Sequence, residues 1–256
     1  MSTVRLDRAL VERGLARSRA QAQELIRAGR VSLDGSTDVR PSDPVGEADR
    51  LEARTDPYVS RAAHKLLGAL DDLALVPTGR ALDAGSSTGG FTQVLLERGA
   101  ASVHAVDVGT DQLAPLLRAD PRVHVHERTN LRDLTLEHVD GRPVDLVVAD
   151  VSFISLTLLL PALAAVTRGE GTWLLMVKPQ FEVGRAALGR DGVVREPALH
   201  RRAVEGVGAA AAALGWHAQA VVASRLPGPA GNREFFLHLT TAPGVDPEQV
   251  WASSLC

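Results

Sequence analysis

Two carboxylates and two lysines lie where an α/β protein holds its chemistry. Asp150 and Lys178 each follow directly after a run of apolar residues that is typical of a buried strand. In a doubly wound sheet, ligands meet the side chains at the carboxyl ends of the strands, so we predict that both residues point into one cleft. Glu234 precedes a further apolar run and would reach the same edge if that strand is antiparallel. Lys65 lies on a predicted helix that leads into the sheet.

The two lysines are unusual in this chain. Of its 28 lysine and arginine residues, all but Lys65 and Lys178 are arginine. A lysine offers a compact ammonium that can change its protonation state, which an arginine guanidinium does not do. The lysines are therefore candidates for places that need such a group, although the presence of two lysines among 28 basic residues could also be due to chance. The position of Lys178 at a strand end favours the first interpretation.

A glycine-rich loop, 82–91, lies between a predicted strand and a predicted helix. Its glycines permit a tight turn and let a ligand approach the backbone, and the helix start offers N–H groups. Its spacing differs from the G-x-G-x-x-G of dinucleotide-binding loops. Asp107 ends the second strand, where a carboxylate can accept both hydroxyls of an adenosine ribose. Asp83 would suit a cationic methionyl amine and repel a pyrophosphate, so the loop favours S-adenosyl-L-methionine over a dinucleotide.

The predicted contacts of this methyl donor extend from the loop to further strand ends. Asn130 follows the third strand, where an adenine-contacting loop belongs, although it could equally cap its own loop. Asp83 could likewise cap the turn without touching a ligand. The full predicted set is Asp83, Gly85, Ser86, Ser87, Thr88, Gly89, Gly90, Phe91, Asp107, Asn130 and Asp150.

The elements that must position these residues alternate as in α/β proteins. The expected fold class is α/β, with a Rossmann-like class I methyltransferase sheet that is mostly parallel, an antiparallel last strand, and a small N-terminal α+β domain. The predicted strands are 81–83, 103–107, 123–125, 144–150, 173–177, 218–223 and 235–239. The predicted helices of the sheet domain are 61–73, capped by Ser60, and 92–98, 156–167 and 197–214.

Residues 1–53 form a separate small module. Apolar residues at helical spacing predict two short helices, the second capped by Ser18, and Asp34-Gly35 predicts a hairpin turn. Seven arginines against three acids give residues 1–30 a net charge of +4, although the whole chain carries −3. A basic N-terminal segment in an otherwise acidic chain is typical of RNA binding, but a solvent-exposed helix face rich in arginine would give the same charge distribution.

The N-terminal module resembles the RNA-binding domain first described in ribosomal protein S4. The similarity is carried, in order and spacing, by Arg5-Leu6-Asp7-Arg8-Ala9-Leu10, Ser18-Arg19-Ala20-Gln21-Ala22 and Leu25-Ile26-Arg27-Ala28-Gly29-Arg30-Val31. The resemblance implies that five arginines face RNA phosphates, namely Arg5, Arg17, Arg19, Arg27 and Arg30.

The four candidate catalytic residues resemble the Lys-Asp-Lys-Glu tetrad of the FtsJ-like ribose 2′-O-methyltransferases. Together with the N-terminal module, these residues identify the chain as a member of the TlyA family, whose members were once labelled haemolysins. The sequence motifs that carry this resemblance are 59–66, 83–91, 150–156, 178–182 and 231–235. The resemblance implies a domain at 61–256 that methylates cytidine ribose in the RNA of ribosomal subunits. Pro57 disfavours helix before it, so 54–60 is the predicted linker. No obligate protein partner is evident.

The tetrad suits the chemistry that the resemblance implies. A ribose hydroxyl is a weak nucleophile, and it must lie in line with the S–CH₃ bond of the donor. An ammonium beside the hydroxyl favours alkoxide character, and Lys178 could take the proton itself if its amine is neutral. Asp150 and Glu234 would hold the two lysine side chains. Each pair taken singly would be an ordinary structural ion pair, but four such groups beside a donor loop indicate catalysis.

Composition excludes other classes of protein. The only cysteine is Cys256, which leaves no internal disulfide, as expected in a reducing cytoplasm. The N-terminus has no apolar signal core, and the longest apolar stretch, 151–166, is too short to span a bilayer. The histidines, including His124 and His126 on one strand face, have no metal-ligand neighbours in the sequence, so we predict no metal.

Three alternatives stay open at this point. A nucleotide-binding oxidoreductase could use the same fold, but the loop spacing disfavours it and the tetrad offers no hydride-transfer partner. A non-catalytic RNA-binding or assembly factor could keep the fold, since a fold does not determine a function. A membrane-lytic protein would need a spanning or strongly amphipathic segment, and the sequence contains none.

Overall fold

The chain folds as two compact units, residues 1–57 and 58–256. The computed structural model describes residues 3–16, 18–54, 56–184, 187–189, 191–246 and 250–251. The division between the units falls within the segment predicted as a linker, 54–60. Each unit buries a hydrophobic core of its own.

The first unit consists of two short helices and two small antiparallel sheets. Its elements are β1 (Val4–Arg5), α1 (Leu6–Glu12), α2 (Arg19–Arg27), β2 (Val31–Leu33), β3 (Pro44–Val45) and β4 (Leu51–Ala53). Strand β1 pairs with β3, and β2 pairs with β4. Ser18 caps α2 as predicted, because its Oγ accepts a hydrogen bond from the N–H of Gln21 at 3.2 Å. Leu6, Leu10 and Leu25 are buried in the core that the helices share.

The second unit is built around a seven-stranded sheet in the described part of the chain. Its strands are β5 (Arg80–Ala84), β6 (Ser102–Val106), β7 (Val123–His126), β8 (Val144–Ala149), β9 (Thr167–Val177), β10 (His217–Ala223) and β11 (Phe235–Thr240). The order is β10-β11-β9-β8-β5-β6-β7. Strands β5 to β9 run parallel, and β11 runs antiparallel to both of its neighbours. The predicted α/β class and the antiparallel last strand are confirmed.

Helices lie on both faces of this sheet, so its central strands are apolar on both sides. The helices are α3 (Ala62–Asp72), α4 (Gly90–Glu97), α5 (Pro115–Arg118), α6 (Leu160–Val166), α7 (Pro179–Glu182) and α8 (Pro197–Ala212). Along β9, Trp173 and Leu175 belong to one core, in which Trp216 stacks on Trp173 with 4.0 Å between ring centroids. Leu174 and Met176 belong to the other core, beside α3 and α4. This alternation sets the face to which each strand-end residue points.

The structure differs from the predicted helices at two places. Ser60 is not the N-cap of α3; that position is Arg61, and Ser60 instead accepts a hydrogen bond at its carbonyl from the N–H of Ala63 at 3.2 Å. The predicted helix 156–167 is broken, because a short 3-10 turn precedes α6 and Pro161 lies in the first turn of α6. A proline has no N–H and would clash with the preceding turn of one continuous helix.

Candidate active site

One face of the sheet ends in charged side chains. The core beside α3 and α4 includes Ala81, Val148, Met176 and Phe236, which lie on four strands of the sheet. Side chains alternate between the faces of a strand with a period of two. The residues two positions closer to the carboxyl ends of the parallel strands therefore share this face, namely Asp83, Asp150 and Lys178. On the antiparallel strand β11 the equivalent residue is Glu234, two positions before Phe236. The fold thus brings three predicted catalytic residues to the edge where the sequence predicted them.

Lys178 is held by two neighbours. Its Nζ lies 2.6 Å from Oδ1 of Asp150 and donates a hydrogen bond to Oγ of Ser152 at 2.9 Å. Oδ1 of Asp150 has no hydrogen-bond partner among the described residues, so this contact is an ion pair rather than a well-formed hydrogen bond. The side chains of Lys178 and Asp150 are 10% and 16% exposed, which leaves the pair accessible from one side.

Lys65 reaches the same edge from α3. Its Nζ donates a hydrogen bond to Oε2 of Glu234 at 2.6 Å, and the two side chains are only 6% and 1% exposed. Removing one partner of such a pair would leave an uncompensated buried charge, which is strongly destabilising. Lys178 and Glu234 flank the register pair Val177–Phe235 on neighbouring strands. The two ion pairs therefore lie side by side, and all four predicted catalytic residues belong to one cluster.

Two adjoining cavities open at these strand ends. The larger, of about 610 Å³, is lined by Gly85, Ser87, Asp107, Val108, Gln112, Thr129, Asn130, Leu131, Arg132, Asp150, Val151, Ser152, Phe153, Ile154 and Leu159. Pockets that enclose small ligands measure roughly 300–1,000 Å³. The smaller, of about 250 Å³, is bordered by Lys178. The cavities share Gly85, Ser87, Asp150 and Ser152, so a ligand in the larger one would lie next to the Lys178 pair.

Gly85 packs closely against the backbone of Asp150 in the cluster. Its φ is +89°, in the left-handed region that favours glycine. A Cβ on this residue would lie 2.9 Å from the carbonyl oxygen of Asp150. The N–H of Gly85 donates to the carbonyl of Val106 at 2.8 Å. The loop is therefore fixed against the ends of two neighbouring strands.

Asp107 lies at the end of β6 in the wall of the larger cavity. Its Oδ2 accepts a hydrogen bond from the N–H of Ser87 at 2.8 Å, and its Oδ1 accepts one from the N–H of Gly109 at 2.7 Å. An ionised carboxylate has about four lone-pair sites, so two remain for ligand hydroxyls. The two backbone contacts fix the orientation of the Asp107 carboxylate in the cavity wall.

Asp83 lies beneath the loop and has no exposed surface. Thr92 Oγ1 donates to its Oδ2 at 2.6 Å, so Asp83 does hold the start of α4, as the alternative to ligand binding supposed. Its Oδ1 has no hydrogen-bond partner among the described residues. Burial, with smaller contributions from Asp150 and Asp107, raises the pKa of Asp83 to about 7. Asp83 borders neither of the two cavities, but an unpartnered carboxyl oxygen of this kind would suit the cationic amine of S-adenosyl-L-methionine.

The other predicted donor contacts divide between the two cavities. The smaller cavity is bordered by Ser86, Ser87, Thr88, Gly90 and Phe91. The ring of Phe91 itself is buried and stacks on Phe236 with 6.0 Å between centroids. Gly89 borders neither cavity, and its φ of +96° lets the chain enter α4. Asn130 borders the larger cavity and accepts from the N–H of Arg132 at 3.1 Å, so capping and ligand contact are compatible.

Ser152 and Phe153 are among the residues of the site that were not predicted from the sequence. Ser152 binds Lys178 and borders both cavities. Phe153 borders the larger cavity, is 92% exposed and has a φ of +66°. Its ring lies 5.4 Å from that of Phe181. A bulky side chain in the left-handed region is strained, and such strain concentrates at functional sites. Nothing in the sequence around Ser152 and Phe153 indicates the hydrogen bond to Lys178 or the left-handed backbone of Phe153.

The histidines correct the prediction that they lack metal-ligand neighbours. Ligand atoms of His104, His124 and Asp140 lie within 4.8 Å of one another, away from the cavities described above. However, Nη2 of Arg80 lies 2.9 Å from Nε2 of His104, so the nitrogen that would bind a metal already accepts from a guanidinium. Burial, with His124 and Arg80, lowers the pKa of His104 to about 4. Arg80 thus contacts two of the three residues, since its Nη2 also lies 3.8 Å from Oδ2 of Asp140.

The predicted RNA-facing arginines lie in the first unit. Arg5 and Arg19 are 52% and 61% exposed, and both bind the carboxylate of Asp7. Arg27 and Arg30 are exposed. Arg17 lies outside the described residues.

Comparison with known proteins identifies the family. Residues 58–241 match the FtsJ-like methyltransferase model, and residues 4–51 match the S4 domain. A Mycobacterium tuberculosis protein, named 16S/23S rRNA (cytidine-2′-O)-methyltransferase TlyA, is 56% identical over 241 residues, covering 93% of this chain and 90% of the relative. The chain belongs to the TlyA family of FtsJ-like methyltransferases.

Other TlyA-family relatives span nearly the same length. The 23S rRNA (cytidine-2′-O)-methyltransferase TlyA of Campylobacter jejuni is 35% identical over 250 residues, covering 89% of this chain and 96% of that protein. A solved structure from Streptococcus thermophilus, named as a candidate hemolysin, has 37% identity and a TM-score of 0.75, covering 99% of this chain and 96% of its own. Among the residues that the structure describes, no helix is both long and apolar enough to cross a membrane.

Gly85→Val should abolish binding of S-adenosyl-L-methionine, because the new side chain would meet the Asp150 carbonyl at a left-handed backbone position. Calorimetric titration of the folded variant measures this directly. Gly215→Val is the matched control, since Gly215 also has a positive φ, +83°, but nothing lies within 4 Å of an added Cβ. The control should keep its affinity for the donor. Equal donor affinity in the two variants would remove Gly85 from the donor site.

Binding of S-adenosyl-L-methionine should strengthen as the pH rises toward 7. Because the pKa of Asp83 is raised to about 7, its carboxyl is protonated below that pH and must release a proton to pair with an ammonium. Titrations between about pH 5.5 and 7.5, below the range in which an amino group of a free amino acid titrates, measure the dependence. Asp83→Asn should bind weakly at every pH. A wild-type affinity that does not change over this range would contradict the assignment.

Proposed function

We propose that this protein transfers a methyl group from S-adenosyl-L-methionine to the 2′-hydroxyl of a cytidine in ribosomal RNA. The observation that carries the proposal is the cluster of two lysines and two carboxylates next to the larger cavity. The names of the relatives from Mycobacterium tuberculosis and Campylobacter jejuni support the reaction and the nucleotide. We place the reaction in the cytoplasm, with ribosomal subunits as the partner.

The larger cavity is the proposed donor site. When bound there, S-adenosyl-L-methionine would supply a methyl group on a sulfonium, which is open to attack by an oxygen nucleophile. Asp107 would accept its ribose hydroxyls, and Asp83 would pair with its amino group. Gly85 and Ser87 would meet it with backbone, since both border the cavity. Asn130 would contact the adenine side.

Lys178 is the proposed group that acts on the 2′-hydroxyl. Its Nζ is fixed by Asp150 and Ser152 and stays accessible from the smaller cavity. In its neutral form the amine can accept the hydroxyl proton, and in its charged form it stabilises negative charge on the oxygen. Lys65 and Glu234 form the second, more deeply buried pair beside it. Their proposed role is to set the position and electrostatic environment of Lys178.

Phe153 is the proposed platform for the target base. An exposed aromatic ring offers a face on which a base taken out of its helix can stack, and such contacts do not depend on base pairing. The left-handed backbone and the neighbouring Phe181 ring hold Phe153 at the rim of the cavity. A base stacked there would bring its ribose to the cavity wall that includes Ser152 and Asp150.

The first unit is the proposed RNA-binding domain, at 1–53, joined through the linker 54–60 to the catalytic domain at 61–256. Phosphate contacts by arginine side chains would supply affinity that falls steeply with salt. The catalytic domain carries the chemistry.

Donor-dependent label transfer tests this function. Ribosomal subunits from cells that lack the modification are incubated with the protein and S-adenosyl-L-methionine carrying a labelled methyl group, and label is counted in the RNA. The proposal predicts label in the RNA that is proportional to time and enzyme. Tight subunit binding without label would instead identify a non-catalytic assembly factor.

Lys178→Arg should lower the single-turnover rate of methyl transfer by about 10²-fold, the scale for losing a positioned proton acceptor. A guanidinium keeps the charge, but it does not release a proton near neutral pH and is wider than an ammonium. Rates are measured at saturating donor and subunits, with donor affinity checked separately by calorimetry. Lys65→Arg should be impaired less. A Lys178→Arg rate within a factor of about three of the wild type would exclude Lys178 from the proton-accepting role.

Phe153→Ala should lower kcat/KM for ribosomal subunits by roughly tenfold, because base stacking on an aromatic ring contributes about 1–3 kcal/mol. Phe153→Tyr is the control, since it keeps both the ring and the backbone strain. Assays at saturating donor separate RNA effects from donor effects. If the alanine and tyrosine variants have the same kcat/KM, the ring does not stack on the target base.

A further inference from the structure

Asp7 is a buried carboxylate of the first unit whose binding partners are exposed arginine side chains. It is the second residue of α1 and has no exposed surface. Its Oδ1 accepts from Nε of Arg5 at 3.2 Å, and its Oδ2 accepts from Nη2 of Arg19 at 3.0 Å. The two arginine side chains are themselves 52% and 61% exposed. A fully buried acid therefore ties down two solvent-facing guanidinium groups.

Gln23 extends this network to a third arginine. Its Nε2 donates to Oδ2 of Asp7 at 2.9 Å, and its Oε1 accepts from Nη2 of Arg27 at 3.4 Å. The two contacts use opposite ends of the amide and so define its orientation. Three of the arginines that are proposed to face RNA are thus connected to one carboxylate, two directly and one through Gln23.

The neighbours of Asp7 favour the charged form of its carboxylate. The hydrogen bond from Arg5, followed by those from Gln23 and Arg19, outweighs burial and holds the pKa of Asp7 far below its ordinary range. A guanidinium has five N–H donors, so each arginine keeps donors for a second acceptor after binding Asp7. Holding a long side chain in place beforehand reduces the conformational entropy that binding would cost.

We propose that Asp7 is a positioning residue for RNA recognition. It fixes Arg5 and Arg19 directly, and Arg27 through Gln23, as a preformed set of phosphate donors that matches a folded RNA. The inference rests on the proposed RNA-binding role of the first unit. It differs from general electrostatic attraction, because Asp7 is negative and would by charge alone weaken binding to RNA.

This opposition of sign gives a direct test. Asp7→Asn and Glu12→Gln each remove one negative charge from α1, and Glu12 pairs only at the surface, with Arg8 at 2.7 Å. Binding of the full chain is measured to purified ribosomal subunits and to polyuridylate as an unstructured RNA. We expect Asp7→Asn to bind subunits at least tenfold more weakly than the wild type, with polyuridylate binding unchanged or tighter. Glu12→Gln should bind both RNAs at least as tightly as the wild type.

A second variant covers the case in which Asp7→Asn does not fold. Gln23→Met keeps the charge and approximate length of the side chain but removes the amide that connects Asp7 to Arg27. It should bind subunits several-fold more weakly, with normal circular dichroism and normal polyuridylate binding. Wild-type subunit affinity in a folded Asp7→Asn chain, or in Gln23→Met if the former does not fold, would overturn the positioning role. A wild-type protein that does not bind subunits would instead contradict the proposed function.

Discussion

The site depends on the pairing of buried charges at the end of one sheet face. Helix α3 covers that face, and Lys65 projects from it onto Glu234 with both side chains almost fully buried. An ammonium removed from water is tolerated only beside a carboxylate. The pairing therefore links the start of β11 to α3. Lys178, at the neighbouring strand end, forms a more exposed ion pair with Asp150 and donates its hydrogen bond to Ser152.

The donor loop is built against the same strand ends. Gly85 approaches the Asp150 carbonyl so closely that no side chain fits between them. Asp83 lies on the same sheet face as Asp150 and Lys178, and burial leaves one of its oxygens without a partner among the described residues. In the proposed account, the site of the methyl donor and the site of the accepting hydroxyl are therefore not independent of each other. A shift of β8 along its axis would move the Asp150 carboxylate together with the Asp150 carbonyl against which Gly85 packs.

The strand-end rule explains why the sequence predicted part of the cluster but not its surroundings. Asp150 and Lys178 follow directly after apolar runs, which places them at the carboxyl ends of strands, whereas Lys65 and Glu234 were assigned to the same set through the resemblance to the tetrad. Tertiary contacts decided the rest. Phe153 adopts a left-handed conformation that no propensity favours, and the neighbours of His104 come from strands and turns far apart in sequence. Pro161 alone could have predicted the break in the helix 156–167. The apolar residues on both sides of it continue, however, so the sequence pattern does not show where the 3-10 turn ends and α6 begins.

The two units divide recognition from chemistry in the proposed account, and each contains a carboxylate that organises basic groups. In the first unit Asp7 orients arginines that keep their charge, whereas in the second Asp150 orients a lysine that can exchange a proton. The central claim is that this lysine acts on a ribose oxygen. Mass spectrometry of nucleosides from ribosomal RNA methylated by the protein locates the new methyl group. The account predicts 2′-O-methylcytidine, with the mass increase on the ribose fragment. A methyl group on the base fragment would contradict it.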